Sequence, residues 1–322
     1  MDFDQISQKL KLEVSEKILM IKGGNSSVVK AKLKDDSIIA VKIYKGETAR
    51  IQRMLARELS AVSFLTSNGL LNVPEILEAR SDLGLIVYKW IDGESPDSNA
   101  KCMDAIVTMC LELDKLSKDC EFESAVDAAF LIEDIKLQIL DRITQLRIEF
   151  KYKIVKTICA LLEDKLRNYQ SIFDRNEKLL PFTLNISDLG THNMLLSGDS
   201  FKFVDFEFFG FDSVDKMVGD FLLHPRNLFQ KNEILTFKES ISNNLTWEPE
   251  NLKFTLPILS LKWATIAFKR ELKNLTQDCS DENLQIFLDE SNGMKYLDYY
   301  DYLISINAID SISSFSLFTA KI

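Results

Sequence analysis

Asp188 and Asn193 stand five residues apart in Ile186-Ser-Asp-Leu-Gly-Thr-His-Asn193, and a second acid, Asp205, follows twelve residues later in Phe203-Val-Asp-Phe-Glu207. Phosphoryl transfer asks for such a set. A carboxylate must receive the acceptor hydroxyl's proton, and oxygen ligands must hold Mg²⁺ against the phosphates. Polar loop residues are common, so the upstream sequence has to sharpen the reading. Gly23-Gly24-Asn25-Ser26-Ser27 separates two strand-like runs. Backbone N–H groups there can approach phosphates, although Gly-Asn connections also mark ordinary hairpins. Lys42 interrupts the apolar run Ala40-Val-Lys-Ile43, and strand alternation alone leaves it facing either solvent or an interior partner. Glu58, sixteen residues on, can pair with it if its helix packs on the sheet. Removing Lys42 is expected to spare the fold, because the residue adds little core area beyond its stem.

These residues need elements to position them. Glu16 to Ile21, Ser27 to Leu33 and Ile38 to Tyr44 read as an antiparallel meander. Ile51, Leu55, Glu58, Val62 and Leu65 recur at helical spacing, and Asn68-Gly69 ends that helix. Two more strands are expected near 73–78 and 85–90, before a polar linker from Asp92 to Asn99. Helical periodicity then runs from about 100 to 178, with no Pro or Gly between Asp97 and Arg175. Short strands are expected at 182–186 and 201–206, and helices from about 215 to the end.

The order glycine turn, strand lysine, helix glutamate and then Asp–Asn–Asp resembles the aminoglycoside phosphotransferase and choline kinase group of small-molecule kinases. The resemblance runs from about Glu16 to Leu223 and is strongest at Ser187–Asn193 and Val204–Gly210. It implies an α+β, bilobal protein-kinase-like fold, with a small antiparallel-sheet N-lobe (1–90) and a large, mainly helical C-lobe (91–322). ATP would lie between the lobes. It also implies Asp188 as catalytic base, Asn193 and Asp205 as Mg²⁺ ligands, and Gly24, Asn25, Ser26 and Ser27 as the nucleotide loop. Lys42, positioned by Glu58, would meet the α/β-phosphates. In Val87-Tyr-Lys-Trp-Ile-Asp-Gly93, the carbonyl of Lys89 and the N–H of Ile91 would meet adenine. Asp220 would buttress the catalytic loop. The family's usual His-Gly-Asp reads Ile186-Ser187-Asp188 here, and Gly190 replaces a second histidine.

Composition bounds the alternatives. The 322 residues carry a net charge of −10, which argues against a nucleic-acid-binding face. No run of 18 apolar residues exists, and the acidic start lacks a signal-peptide profile, so a cytoplasmic chain is expected, with no membrane partner. Two histidines cannot build a multi-histidine zinc site, and the five cysteines (102, 110, 120, 159 and 279) include no Cys-x-x-Cys. His224 reads as a helix cap, Asp212 and Asp215 as a helix-start pair or a cation trap, and the stripe around Trp263 as core. The expected reaction is ATP-dependent phosphorylation of a small-molecule hydroxyl, with a sugar-type acceptor favoured. The alternatives are an aminoglycoside or amino-alcohol kinase and a catalytically silent nucleotide-binding module.

Overall fold

Residues 3–173, 179–275 and 281–306 are described by the computed structural model. The expected helical stretches also run over 174–178, 276–280 and 307–322, and these, with Cys279, lie outside the described residues. The chain divides into two compact units, 1–97 with 191–210, and 98–190 with 211–322.

In the first unit, α1 (Phe3–Lys9) precedes β1 (Val14–Lys22), β2 (Ser26–Leu33) and β3 (Ile38–Tyr44). Then come α2 (Thr48–Ser67), β4 (Ile76–Arg80) and β5 (Leu85–Lys89). The strands form one antiparallel sheet in the order β1-β2-β3-β5-β4. Alternation sorts its two faces. Val29, Ala31, Ile39, Val41, Leu85 and Val87 point to one face and pack on Phe3, Ile6 and Leu10 at the α1 end of the chain. Tyr44, Ile86 and Tyr88 point to the other and pack on Met54 and Leu55 of α2. Lys42 belongs to this second face, directly opposite Val28 on β2 and Ile86 on β5.

The second unit holds α3 (Ala100–Ser117), α4 (Ile132–Glu149), α5 (Lys153–Phe173) and β6 (Phe182–Asn185). The chain next enters the first unit through β7 (Met194–Ser197) and β8 (Ser200–Phe203), an antiparallel ribbon. It returns along β9 (Gly210–Ser213), which pairs with β6, and continues as α6 (Val214–Leu223) and α7 (Lys231–Asn244). The helices α8 (Leu252–Leu272), α9 (Asp281–Glu290) and α10 (Asn292–Ser305) complete it. Helix α8 is apolar around most of its circumference, as a central helix must be. It packs on α4, α5, α6 and α10 and buries Leu256, Ile258, Leu259, Leu261, Ala264 and Phe268.

The sequence missed α1, β7 and β9, and it placed β4 three residues early. A division at residue 90 also puts 191–210 with the helices, whereas this segment clusters with the sheet. Backbone hydrogen bonds explain that placement. Glu94 and Leu196 exchange N–H···O bonds of 3.1 and 2.7 Å, and Phe203 N–H donates to Asn72 O at 2.8 Å.

Candidate functional site

In the first unit, Lys42 is the centre of a buried charge cluster. Its Nζ donates to Glu58 Oε2 on α2 and to Asp205 Oδ1 at 2.6 Å, and it lies 3.4 Å from Glu207 Oε2. The residue is 4% exposed. Burial opposes the ammonium charge, but Glu58, Asp205 and Glu207 outweigh it and hold Lys42 above its ordinary pKa. Glu58 is fixed by more than the lysine. Tyr44 OH donates to its Oε2, and Tyr88 OH donates to Oε1 at 2.5 Å. All of these side chains stand on the α2 face of the sheet, because 42, 44 and 88 share the strand parity that α2 covers.

Glu207 adds a third acid. Its Oε1 accepts from Asn25 Nδ2 at 2.8 Å, and Asn25 Oδ1 in turn accepts from Arg50 at 3.0 Å. The nucleotide-loop candidate is thus tied to the Asp205 strand end. Burial, reinforced by the Asp205 charge and opposed by Lys42, pushes Glu207 up to about 7. Its buried Oε2 accepts no hydrogen bond from the described residues. Carboxylate oxygens of Glu58, Asp205 and Glu207 lie within 4.8 Å of one another around a single ammonium. This surplus of oxygen donors over cations fits a divalent ion and its phosphates.

The β7–β8 ribbon explains how residues twelve apart meet. Met194 pairs with Phe203, and Val204 N–H donates to Asn193 O at 2.9 Å, so Asn193 and Asp205 emerge together at the ribbon's open end. Asp205 adopts φ 69°, a left-handed backbone uncommon for a non-glycine residue and found disproportionately at functional positions. The expected adenine segment, from Lys89 through Ile91 to Gly93, is laddered onto this ribbon at Glu94. A Cβ on Gly93 would stand 2.7 Å from Leu196 O, so only glycine permits that approach.

Within the loop, Gly24 and Asn25 lie outside the sheet ladder. Ser26 and Ser27 already pair with Tyr44 and Ile43, and Ser27 is buried on the face opposite Lys42. Neither a positive φ nor packing demands a glycine at position 24, since a Cβ there would meet nothing within 4 Å. Ile21 and Val28 pair across β1 and β2 on the Lys42 face, and Ile21 is 53% exposed.

Asp188 belongs to the second unit, on the loop that follows β6. Ser187, at φ 67°, donates its N–H to Asn185 Oδ1 at 3.0 Å, and this turn lifts Asp188 from the buried Ile186. Ile186 is 2% exposed, an apolar side chain held in the core directly before the loop. Asn227, itself buried, donates to Leu189 O at 3.1 Å and to Phe221 O at 2.9 Å, joining the loop to the end of α6. His224 Nε2 stands 3.5 Å from Asp188 Oδ1.

The acids after Gly210 are structural. Asp212 accepts from the N–H groups of Ala129 and Ser213, both at 2.9 Å, and from Lys216 Nζ at 2.6 Å. Asp215 accepts from Trp247 Nε1 at 3.2 Å. Asp220 accepts from Trp263 Nε1 at 2.9 Å and faces Lys216 at 3.0 Å and Lys262 at 3.7 Å. Burial works against the Asp220 charge, but the two lysines hold its carboxyl below the ordinary range. Burial likewise pushes Lys262 down to about 8.

The structure brings Lys42, Glu58 and Asp205 together with Asn25, and it sets Asn193 beside Asp205 at the ribbon end. Ser27 does not join them. Sequence reasoning missed Tyr44, Tyr88 and Glu207 as members of the cluster. Tyr44 and Tyr88 were legible as same-face neighbours of Lys42 by alternation, but nothing local marks their hydroxyls as partners of Glu58.

No protein-family model and no curated protein matches the sequence. Solved structures do match. An amicoumacin kinase, solved in complex with AMP-PNP, Ca²⁺ and Ami, is similar at 13% identity and a TM-score of 0.62, over 92% of this chain and 94% of that one. A choline kinase from Cryptosporidium parvum is similar at 12% identity and 0.62, over 98% and 99%. A spectinomycin phosphotransferase, in complex with ADP and spectinomycin, is similar at 12% identity and 0.58, over 100% and 99%. At these identities the likeness carries the fold, and the chain has the protein-kinase-like fold of the small-molecule kinases.

Proposed function

We propose that the chain is a Mg·ATP-dependent phosphotransferase acting on a hydroxyl of a small molecule, of sugar type. The observation that supports it best is Lys42, hydrogen-bonded at once to Glu58 of α2 and to Asp205 at the end of the β7–β8 ribbon. A buried lysine can hold two acids for stability alone, as Lys216 does; what distinguishes Lys42 is that one of its acids stands beside Asn193 at a ribbon end. A lysine that serves phosphates beside a metal ligand needs this geometry. Gly24 and Asn25 would cradle phosphates with backbone N–H groups, and Ile21 and Val28 offer a purine an apolar surface. Lys89 and Ile91 would meet its edge.

Bound Mg²⁺ would supply charge neutralisation on the phosphates, and Asn193 and Asp205 are the residues to hold it, with Glu207 adjoining. Lys42 would then exchange its contact with Asp205 for a phosphate oxygen while Glu58 keeps its stem in place. Asp188 accepts the acceptor hydroxyl's proton as that oxygen bonds to the γ-phosphorus. The β–γ bridging P–O bond breaks, and its electron pair leaves on ADP. Because such transition states are loose, orientation and charge placement supply most of the rate.

The buried Ile186 supports an intact loop over a silent module, since an apolar side chain is held in the core where the resemblance expects a histidine. The test is an ATP-consumption screen over sugars, aminoglycosides, choline-like alcohols and nucleosides, with and without Mg²⁺. Metal-dependent transfer to a sugar-type hydroxyl is expected. Nucleotide binding with no turnover on any acceptor would refute the proposal.

A further inference from the structure

Two imidazoles outside the machinery above, His192 and His224, gather with Asp188, the ligand atoms of the three lying within 4.8 Å of one another, and His224 is the one fixed at the end of α6. At the end of α6 its Nδ1 accepts the N–H of Arg226 at 3.1 Å. A ring nitrogen that accepts cannot carry the proton, so the neutral imidazole bears it on Nε2. That nitrogen is the one facing Asp188 Oδ1 at 3.5 Å. We infer that His224 is a positioning residue, whose Nε2–H holds Oδ1 of Asp188 and so orients the carboxylate that takes the acceptor's proton. The role rests on the phosphotransferase reading.

Three features make the pairing more than proximity. The His224 ring stands edge-on to Trp263, with centroids 5.3 Å apart and planes at 89°, and Trp263 is pinned in turn by Asp220. Its ring therefore has little freedom to turn away. Asn227 spans the two segments that carry the pair, binding Leu189 O next to Asp188 and Phe221 O on the helix that ends at His224. The separation of imidazole and carboxylate is thus set by a third, buried side chain. Finally, 3.5 Å is longer than a formed hydrogen bond, as hydrogen bonds in substrate-free catalytic sites often are before they tighten. A neutral N–H donor suits the task. It orients a carboxylate with less loss of basicity than a cation at the same place would impose.

The helix-cap reading of His224 holds for its place, since it is the C-cap residue of α6. Its ring adds contacts to the N–H of Arg226 and the carboxylate of Asp188.

The test combines two variants with a measurement that needs no turnover. His224→Gln places an amide N–H near the Nε2 position, whereas His224→Phe keeps a ring against Trp263 and removes the donor. The phenylalanine variant should lower kcat about 10- to 100-fold, the scale of a misplaced catalytic group. The KM for ATP should stay within about twofold, and the glutamine variant should recover most of the loss, because only the donor is at stake. Chains labelled with ¹⁵N-histidine contain only two imidazoles, so nitrogen NMR of the wild type reads the tautomer directly. His224 should be protonated at Nε2, and Asp188→Asn should shift that resonance.

An active wild type with His224 protonated at Nδ1, or with His224→Phe at the wild-type kcat, overturns the role of His224 alone. A wild type inactive towards every acceptor overturns the phosphotransferase reading and this role with it, whatever the tautomer. Should the phenylalanine variant fail to fold, the wild-type tautomer and the kcat of His224→Gln still decide.

Discussion

Replacing Lys42 by Met separates its charge from its stem, because the new side chain fills nearly the same volume. The loss falls on three carboxylates. Glu58 is 1% exposed and Glu207 2% exposed, while the Asp205 side chain, at 35%, keeps access to water. Breaking a buried ion pair by removing one partner typically costs about 3–5 kcal/mol. Two tyrosine hydroxyls still serve Glu58, and Asn25 still serves Glu207, so the lower end applies, about 3 kcal/mol. The expectation from sequence that Lys42 can be removed without cost to the fold is corrected by this burial. The pH dependence has a definite sign. Glu207 sits near 7 in the folded chain against an ordinary 4.5, even with Lys42 pulling it down. Without the lysine, its folded pKa stays raised. The wild type already binds an extra proton between about 4.5 and about 7, so the variant's additional proton uptake, and the stability it loses beyond the wild type as pH rises, lies above about 7. Urea unfolding of both proteins, free of nucleotide, at pH 5 and pH 8 is the assay. The deficit of Lys42→Met should be larger at pH 8 than at pH 5. Equal stability at both, or a deficit that shrinks as pH rises, would refute the buried-cluster reasoning.

Asp188→Asn should cut turnover by about 10²–10⁴-fold, the usual worth of a general base, with nucleotide affinity unchanged by titration. Ser187→Gly should stabilise the chain by about 1 kcal/mol in urea unfolding, because Ser187 holds φ 67° and its buried Oγ has no hydrogen-bond partner among the described residues. Lys262, pushed by burial from 10.5 to about 8, lets the unfolded chain bind more protons between those values, so its contribution to stability rises with pH across that window. Lys262→Met should remove that rise, on the order of 3 kcal/mol, when unfolding is compared at pH 7.5 and about 10.5.

The residues of the lysine cluster that sequence reasoning found are those whose identity is odd for their place. Lys42 is a charge in an apolar strand, Glu58 an acid on an otherwise apolar helix stripe, and Asp205 an acid closing a strand. What stayed hidden depends on long-range packing. Asp212 and Asp215 look like exposed helix-start acids until Ala129, Lys216 and Trp247 close over them. The partner of His224 lies 36 residues upstream, and no periodicity reaches that far. Strands β7 and β9 span four residues each, too short for alternation to rise above chance, and their pairing decides where 191–210 belongs. Helix α1 is seven residues long, and its apolar Phe3 and Ile6 repeat only once before Leu10.

The two hydroxyls on Glu58 bear on how such a protein can be regulated. In protein kinases the lysine–glutamate ion pair is made and broken as the helix carrying the glutamate swings, which turns that helix into a switch. Here an outward swing of α2 would strand Tyr44 and Tyr88, both buried against Ile86 and Met54, as well as Lys42. Three donors released together make the displaced state costly, at about 1.5–3 kcal/mol for each hydrogen bond to a charged group. The helix is therefore latched. On the phosphotransferase reading, the lysine–glutamate pair then stays made without a ligand, and control by swinging this helix is costly.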